Sequence, residues 1–246
     1  MTFANRAGVA VVAGGSGGLG SAIVRLLVER GATVAFTYRQ NLQAAQALSA
    51  ETGAAACQLD LTDQPAVASY AASLGPVHTA VYAAGPHVPM RHLSAVPVAD
   101  MAEQLHQDIA AFFAFASALL PALRASAGSL VAVTTAATSR VAVRDGLSSG
   151  PKAAVEALAR ALAAEEGRYG VRVNCVGPGM LTDGMAQRLI ASGDLNEKAL
   201  DAARANTPLR RFGSAVDIAE AVCFLASDAA GFISGQKLDV DGGYSV

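Results

Sequence analysis

Val9-Ala10-Val11-Val12-Ala13-Gly14-Gly15-Ser16-Gly17-Gly18-Leu19-Gly20 is an apolar run that breaks into a glycine turn, in a chain of 246 residues. Beyond the turn, Ile23, Leu26, Leu27 and Val28 recur at helical core spacing, Gly31 ends the helix, and 33–37 reads as a second strand. The unit is βαβ. Its glycines at 14, 18 and 20 are spaced GxxxGxG; residues without side chains let the backbone turn tightly, approach a pyrophosphate and pack helix on strand. The first N–H groups of the helix then face the phosphates, which makes Gly14, Ser16, Gly17, Gly18, Leu19 and Gly20 a candidate dinucleotide cradle. The alternative is an ordinary strand-to-helix turn, against which the strand before, the helix after and the matching motifs that follow all weigh.

The group that selects the cofactor is expected about 20 residues past the turn, at the end of the second strand, where a carboxylate would hold a ribose 2′-hydroxyl. Thr37-Tyr38-Arg39-Gln40-Asn41 contains none. Arg39 can meet a 2′-phosphate with its planar guanidinium, and Tyr38 is expected to stack near the adenine, so NADP(H) is favoured over NAD. The competing role for Arg39 is a solvated charge at the start of a helix.

Composition narrows the class. Eighteen Lys and Arg against 20 Asp and Glu give a net charge of −2, with no basic stripe to follow a nucleic-acid backbone. Cys57, Cys175 and Cys223 are odd in number and never in CxxC spacing, so they read as buried thiols in a reducing cytoplasm rather than disulfides or metal ligands. No secretory leader pattern is present, and the longest uncharged apolar stretch, 109–123, is shorter than the ~20 residues of a membrane span. A small-molecule substrate is expected, with neither nucleic acid nor membrane as partner. Apolar residues circle that stretch, which leaves part of it to face another subunit.

Along the chain, 42–51 reads as helix and 54–59 as strand, ending at Asp60-Leu61. Asp60 could accept from an adenine amino group, and Asp63 is the better cap for the helix that follows. A fourth strand, 77–83, runs into Ala83-Ala84-Gly85, small enough to let a dinucleotide pass close; the loop beyond carries His87 and His92, read as surface residues first and as candidate acids second. Two helices are expected over 98–123 with Asp108 between them, then a strand over 129–134 before Thr135, a helix over 151–168, and a strand over 171–176 leading to Gly177-Pro178-Gly179. The segment 180–212 is too long for a simple connection and is expected to form a lid. A helix over 215–227 and a strand over 236–240 follow. Alternation of strands and helices throughout implies one domain, 1–246, with a doubly wound parallel sheet.

Taken together, Gly14-x3-Gly18-x-Gly20, Asp60-Leu61, Ala84-Gly85, Lys152, Val173-Asn174-Cys175-Val176-Gly177-Pro178-Gly179, Pro208 to Gly213, Phe224 to Asp228 and Asp239 to Gly243 resemble the short-chain dehydrogenase/reductase family from end to end. The resemblance implies a seven-stranded Rossmann sheet, a nicotinamide cofactor also touched by Pro178, Gly179, Leu181 and Lys152, and dimers or tetramers built through the helix near 112–120 or the C-terminal strand. It also implies a catalytic Asn, Ser, Tyr and Lys. Of these only Lys152 survives: Asp108 stands for the asparagine, Thr135 for the serine and Ser148 for the tyrosine. Gly17 stands where NADP-preferring members often place an arginine, which leaves phosphate selectivity to Arg39. Gly150-Pro151 is expected to delay the helix until about 150 and to leave Ser148 outside it.

Ketone reduction needs a hydride at carbon and an acid at the developing alkoxide, and a positioned acid contributes roughly 10²–10⁴ in rate. Isolated hydroxyls such as Ser148 and Thr135 are far weaker acids than a phenol and suit orientation better. An ionised Asp108 would repel an alkoxide, and its expected role is a salt bridge to Lys152. A phenol beside the ketone of an aromatic substrate could supply the proton. The pattern is similar to a tyrosine-lacking ketoreductase of antibiotic biosynthesis, which implies an angucyclinone-like aromatic polyketide as substrate. The alternatives are an NADP(H)-binding partner without catalysis and a cofactor-independent lyase or cyclase.

Overall fold

The computed structural model describes residues 2–86, 88–182 and 197–246. His87 and the middle of the expected lid, 183–196, lie outside the described residues.

Seven strands form one parallel sheet: β1 (Val9–Ala13), β2 (Val34–Tyr38), β3 (Ala55–Gln58), β4 (Val77–Tyr82), β5 (Ser129–Val133), β6 (Arg172–Pro178) and β7 (Lys237–Val240). Their order is β3-β2-β1-β4-β5-β6-β7. The chain winds outward from β1 through β2 and β3, then returns to β4 on the other side of β1. The crevice where a doubly wound sheet binds its ligand therefore lies beyond the ends of β1 and β4. Every residue of β2, β4 and β5 is buried, which is why these strands read as continuous apolar runs rather than alternating ones.

The helices α1 (Gly18–Glu29), α2 (Leu42–Thr52), α3 (Gln64–Ser73), α4 (Val98–Leu105), α5 (Ala111–Ser126), α6 (Gly146–Glu166), α7 (Glu197–Asn206) and α8 (Ala215–Ala226) complete the described chain. On one face of the sheet Ile23 and Leu27 of α1 join Ile218 and Val222 of α8 in a core with Val12 and Phe36. On the other, Phe112, Phe115 and Leu119 of α5 and Val155 of α6 share a core with Val11, Tyr82 and Leu130. Helix starts follow the caps: Asn41 accepts from Ala44 N at 3.0 Å, Asp63 from Ala66 N at 3.1 Å, and Ser214 and Asp217 form a capping box. Each is worth ~1 kcal/mol.

Four expectations are corrected. Instead of two separate helices around Asp108, α4 and α5 run together through a π-turn, His106–Ala110. The insertion is held by Asp108 itself, whose carboxylate is 1% exposed and tied by side-chain bonds to the neighbouring turn and to α6. Second, α6 starts at Gly146, not near 150, and contains both Ser148 and Pro151. The Asp145 carbonyl accepts from Ser148 N at 3.0 Å and Ser149 N at 2.8 Å, closing the first turn ahead of the proline. Pro151 then removes only the bond that its own N–H would have given to Leu147. Third, the joined helix Val98–Ser126, with mean hydropathy 1.6 in its most apolar window, is long and apolar enough to cross a membrane, unlike the shorter 109–123 stretch. Its Phe112, Phe115, Leu119 and Leu123 are core residues against the sheet, while Phe113 is exposed. Fourth, Cys175 and Cys223 are buried, but Cys57 on edge strand β3 is only partly so.

Candidate active site

The glycine turn fits closely into the sheet. Gly14 has φ +77°, and a Cβ there would lie 2.9 Å from the Ala83 carbonyl oxygen and 2.8 Å from Ala84 Cα. A Cβ on Gly20 would lie 2.1 Å from the Gly14 carbonyl oxygen, so the start of α1 touches the turn backbone directly. Gly17 caps α1 without a side chain, and the first turn carries no acid, so the N–H groups of Gly18, Leu19 and Gly20 are left for an anion. Ser16 is half-buried beside them, and Leu19 packs onto the core.

At the end of β2, Arg39 and Gln40 are exposed, and the Arg39 guanidinium donates no hydrogen bond among the described residues. Asp60 accepts from Thr62 N at 2.9 Å and Thr62 Oγ1 at 2.7 Å; these bonds hold its carboxyl below the usual range, with Arg39 and His106 adding to the effect. Leu61 is buried. Tyr38, at 8% exposure, packs with Ala45 and Leu48 at the end of β2.

Across the crevice, Lys152 projects from α6. Its Nζ bonds Asp108 Oδ1 at 2.7 Å, while Gln104 Nε2 donates to Asp108 Oδ2 at 2.8 Å. The ammonium is 12% exposed and its partner 1%, so this is a desolvated pair. Lys152 Nζ also lies 5.6 Å from the centre of the Tyr82 ring and 3.5 Å from where a Cβ on Gly85 would stand. The ammonium thus stands at the end of β4, beside Gly85. Tyr82 is the phenol nearest to Lys152 among the described residues, yet it is fully buried and donates to the Asp108 carbonyl at 3.3 Å. Burial pushes its phenol above the ordinary value, and the Asp108 charge adds to this. It is no proton source for a ligand.

Thr135, beyond β5, accepts from Ala137 N at 3.2 Å and so caps a short 3-10 turn, which fixes its oxygen and leaves its O–H free to donate. Ser148 is half-buried on α6, and its hydroxyl has no partner among the described residues.

A family profile described as enoyl-(acyl carrier protein) reductase matches residues 13–245. The chain belongs to the short-chain dehydrogenase/reductase family. It is 35% identical over 242 residues to acetoacetyl-CoA reductase of Synechocystis sp., covering 96% of this chain and 95% of that protein. It is 32% identical over 242 residues to the 3-oxoacyl-[acyl-carrier-protein] reductase of Bos taurus, covering 96% and 97%. Among solved structures, a short-chain type dehydrogenase/reductase from Mycobacterium ulcerans superposes with TM-score 0.89 at 27% identity, covering 100% of this chain and 91% of that one. The family's reactions are oxidoreductions with a nicotinamide cofactor, and relatives of this short-chain dehydrogenase/reductase include ketoacyl reductases.

The remaining expected cofactor residues cluster at the same edge. Pro178 ends β6, Gly179 N donates to the Val240 carbonyl at 3.0 Å, and Leu181, 7% exposed, pairs with Gly213 in an isolated bridge. Of the expected lid, the part after α7 is pinned to the C-terminal strand's end, with Leu209 N bonded to the Gly242 carbonyl at 3.1 Å. His92 is exposed, as a surface residue should be.

One acid escaped the sequence reading. Asp145 stands immediately before α6, three residues ahead of Ser148 and seven ahead of Lys152, and its carboxylate makes no hydrogen bond or ion pair among the described residues. Burial without a compensating cation raises its carboxyl from an ordinary value near 4 to about 6. The signal lay in the spacing: positions i, i+3 and i+7 share a helix face. The proline-based boundary near 150 hid it, because it placed Asp145 and Ser148 in a loop.

Proposed function

We propose that this protein is an NADPH-dependent ketoreductase that reduces a ketone on an aromatic, angucyclinone-like polyketide, with the substrate's own neighbouring phenol protonating the developing alkoxide. One observation carries the reading: a glycine turn whose helix N–H groups have no side-chain cap faces, across the crevice, the Lys152–Asp108 pair, and Ser148 stands where the family resemblance would place the acid. The residues fit the cofactor, because a Cβ at Gly14 or Gly20 would collide with backbone and the N–H groups at the start of α1 have no side-chain cap. Gly14 to Gly20 would hold the pyrophosphate, Arg39 the 2′-phosphate, and Asp60, Ala84 and Gly85 the adenosine side. Lys152, Pro178, Gly179 and Leu181 would hold the nicotinamide side.

The bound nicotinamide supplies the hydride. The chain's contribution is to position the ketone and to place the Lys152 charge near the oxygen that becomes negative; Asp108 keeps that charge oriented. Thr135 and Ser148 can steer the substrate by hydrogen bonds. A small-molecule substrate, a cytoplasmic setting and self-association belong to the same reading; the three free thiols suit a reducing compartment.

The test is NADPH oxidation against matched aryl ketones with and without an adjacent hydroxyl. Turnover confined to the hydroxyl-bearing ketone supports the assisted mechanism, and equal turnover on both removes it. Tight NADPH binding without turnover on any ketone would favour the non-catalytic partner, to which the replacement of three quartet positions points. Product formed without cofactor consumption would indicate a lyase or cyclase.

A further inference from the structure

Behind Thr135 lies a charged cluster that the ketoreductase mechanism leaves without a task. Lys237 and Asp239 stand two residues apart on β7, paired with Cys175 and Gly177 of β6, so their side chains share one face of the sheet. Glu156 stands one helical turn beyond Lys152 on α6. The side chains of Lys237, Asp239 and Glu156 are 14%, 19% and 8% exposed. Lys237 is the one cation that pairs with either acid among the described residues, at 2.9 Å from Asp239 Oδ1 and 3.4 Å from Glu156 Oε1. A solvated strand lysine would put its ammonium into water. This one is turned toward the chain that follows β5.

What stands between the charges is the turn that carries Thr135. Lys237 Nζ donates to Thr138 Oγ1 and, at 2.9 Å, to Ser139 Oγ. Thr138 Oγ1 donates to Glu156 Oε1 at 2.8 Å, and Ser139 Oγ to Asp239 Oδ2 at 2.7 Å. Each hydroxyl therefore accepts from the ammonium and gives its single proton to a carboxylate, which fixes its direction. Thr138 Oγ1 also lies 3.0 Å from the Thr135 carbonyl oxygen. Gly177 shows how closely these parts meet: a Cβ there would stand 2.1 Å from Asp239 Oδ1, 2.6 Å from Lys237 Cε and 3.2 Å from the Thr135 carbonyl carbon. A three-residue 3-10 turn such as Ala136–Thr138 has poor hydrogen-bond geometry of its own, so its place is set by what its side chains reach.

Resting on the ketoreductase reading, we propose that Lys237 is a positioning residue for that reaction: acting through Thr138 and Ser139, its ammonium holds the turn so that the Thr135 hydroxyl can donate to the substrate. Lys237 reaches Thr135 only through that turn. Its removal leaves Glu156 and Asp239 as two desolvated carboxylates with no cation between them, and the bridging hydroxyls lose the donor that orients them. The Thr135 O–H is then no longer aimed.

The experiment measures kcat and KM on the hydroxyl-bearing ketone, with NADPH affinity by fluorescence, for the full chain, for its Thr135→Val, Thr138→Val, Lys237→Met and Lys237→Arg variants, and for Lys237→Met combined with Thr135→Val. Loss of a steering contact removes binding shared by substrate and transition state. Thr135→Val and Lys237→Met should therefore each raise KM by about fivefold, more than they lower kcat, with NADPH affinity within about twofold of wild type. Lys237→Arg keeps the charge and the N–H donors and should bring KM back to within about twofold of wild type. The combined variant should exceed Thr135→Val alone by less than about 1.5-fold, because both changes act through one contact. Thr138→Val cuts the link while leaving all three charges in place, and should reproduce the rise in KM even if Lys237→Met folds poorly. Wild-type KM in Lys237→Met and Thr138→Val, or a combined effect of about 25-fold, would overturn the role of Lys237 while leaving ketone reduction in place. A wild-type protein that binds NADPH but reduces neither ketone would instead overturn the underlying reading, and Lys237's role with it.

Discussion

The two sides of the crevice are built from different materials. On the β1–α1 side, recognition comes from backbone: a turn closed at Gly14 and Gly20 and a helix start with no side-chain cap. On the α6 side it comes from side chains, and in the proposed reading Ser148, Thr135 and Asp108 take the family's acid, serine and asparagine positions. Backbone sites tolerate little change, since an added Cβ meets carbonyl oxygen. Side-chain sites can be rewritten while the helix that presents them persists. Under the proposed function, the contrast is how a chain could keep a cofactor groove while losing its phenolic acid.

Four substitutions sharpen or break this contrast. Lys152→Ala should have the largest effect, because it leaves the 1% exposed Asp108 carboxylate without its cation. A loss of ~3–5 kcal/mol in stability is expected from denaturant melts, and adding Asp108→Leu should recover most of it. An unchanged melting curve would mean the pair is not formed in solution. Gly20→Ala should come next: its Cβ would be 2.1 Å from the Gly14 carbonyl oxygen, so the turn must move. NADPH binding weaker by about 100-fold, or ~2.7 kcal/mol, is expected in titration, and wild-type affinity would contradict the cradle.

Arg39→Ala should weaken NADPH by about tenfold while leaving NADH nearly unaffected, as loss of one charged phosphate contact predicts. Parallel losses for both cofactors would show that Arg39 does not read the 2′-phosphate. Ser148→Ala should change kcat on the hydroxyl-bearing ketone least, by less than about threefold, since an isolated hydroxyl orients rather than protonates. Complete loss of turnover would make Ser148 the acid and dissolve the contrast.

The sheet was legible because its signals are local and repeated. Apolar strands alternate with helices, Asp63 marks a helix start, and Gly31, with φ +86°, closes α1. The glycine turn was legible because its requirement is steric. What stayed hidden depends on tertiary partners. The helix break near Asp108 becomes a π-turn only because Gln104 and Lys152 hold the carboxylate from two sides. Pro151 misled for the same reason. Its penalty is one helix bond, which the first turn built on the Asp145 carbonyl can absorb. Asp145 was hidden with it, since a shifted carboxyl becomes visible only once burial is known.

The most direct test of the kept cradle and discarded acid is a crystal structure of the protein grown with excess NADPH. The account predicts density across the ends of β1 and β4, with the pyrophosphate at the N-terminus of α1, the 2′-phosphate at Arg39, and no tyrosine hydroxyl within reach of the nicotinamide carbon that gives up hydride. A groove left empty at saturating NADPH, or filled by the chain's own side chains, would contradict it.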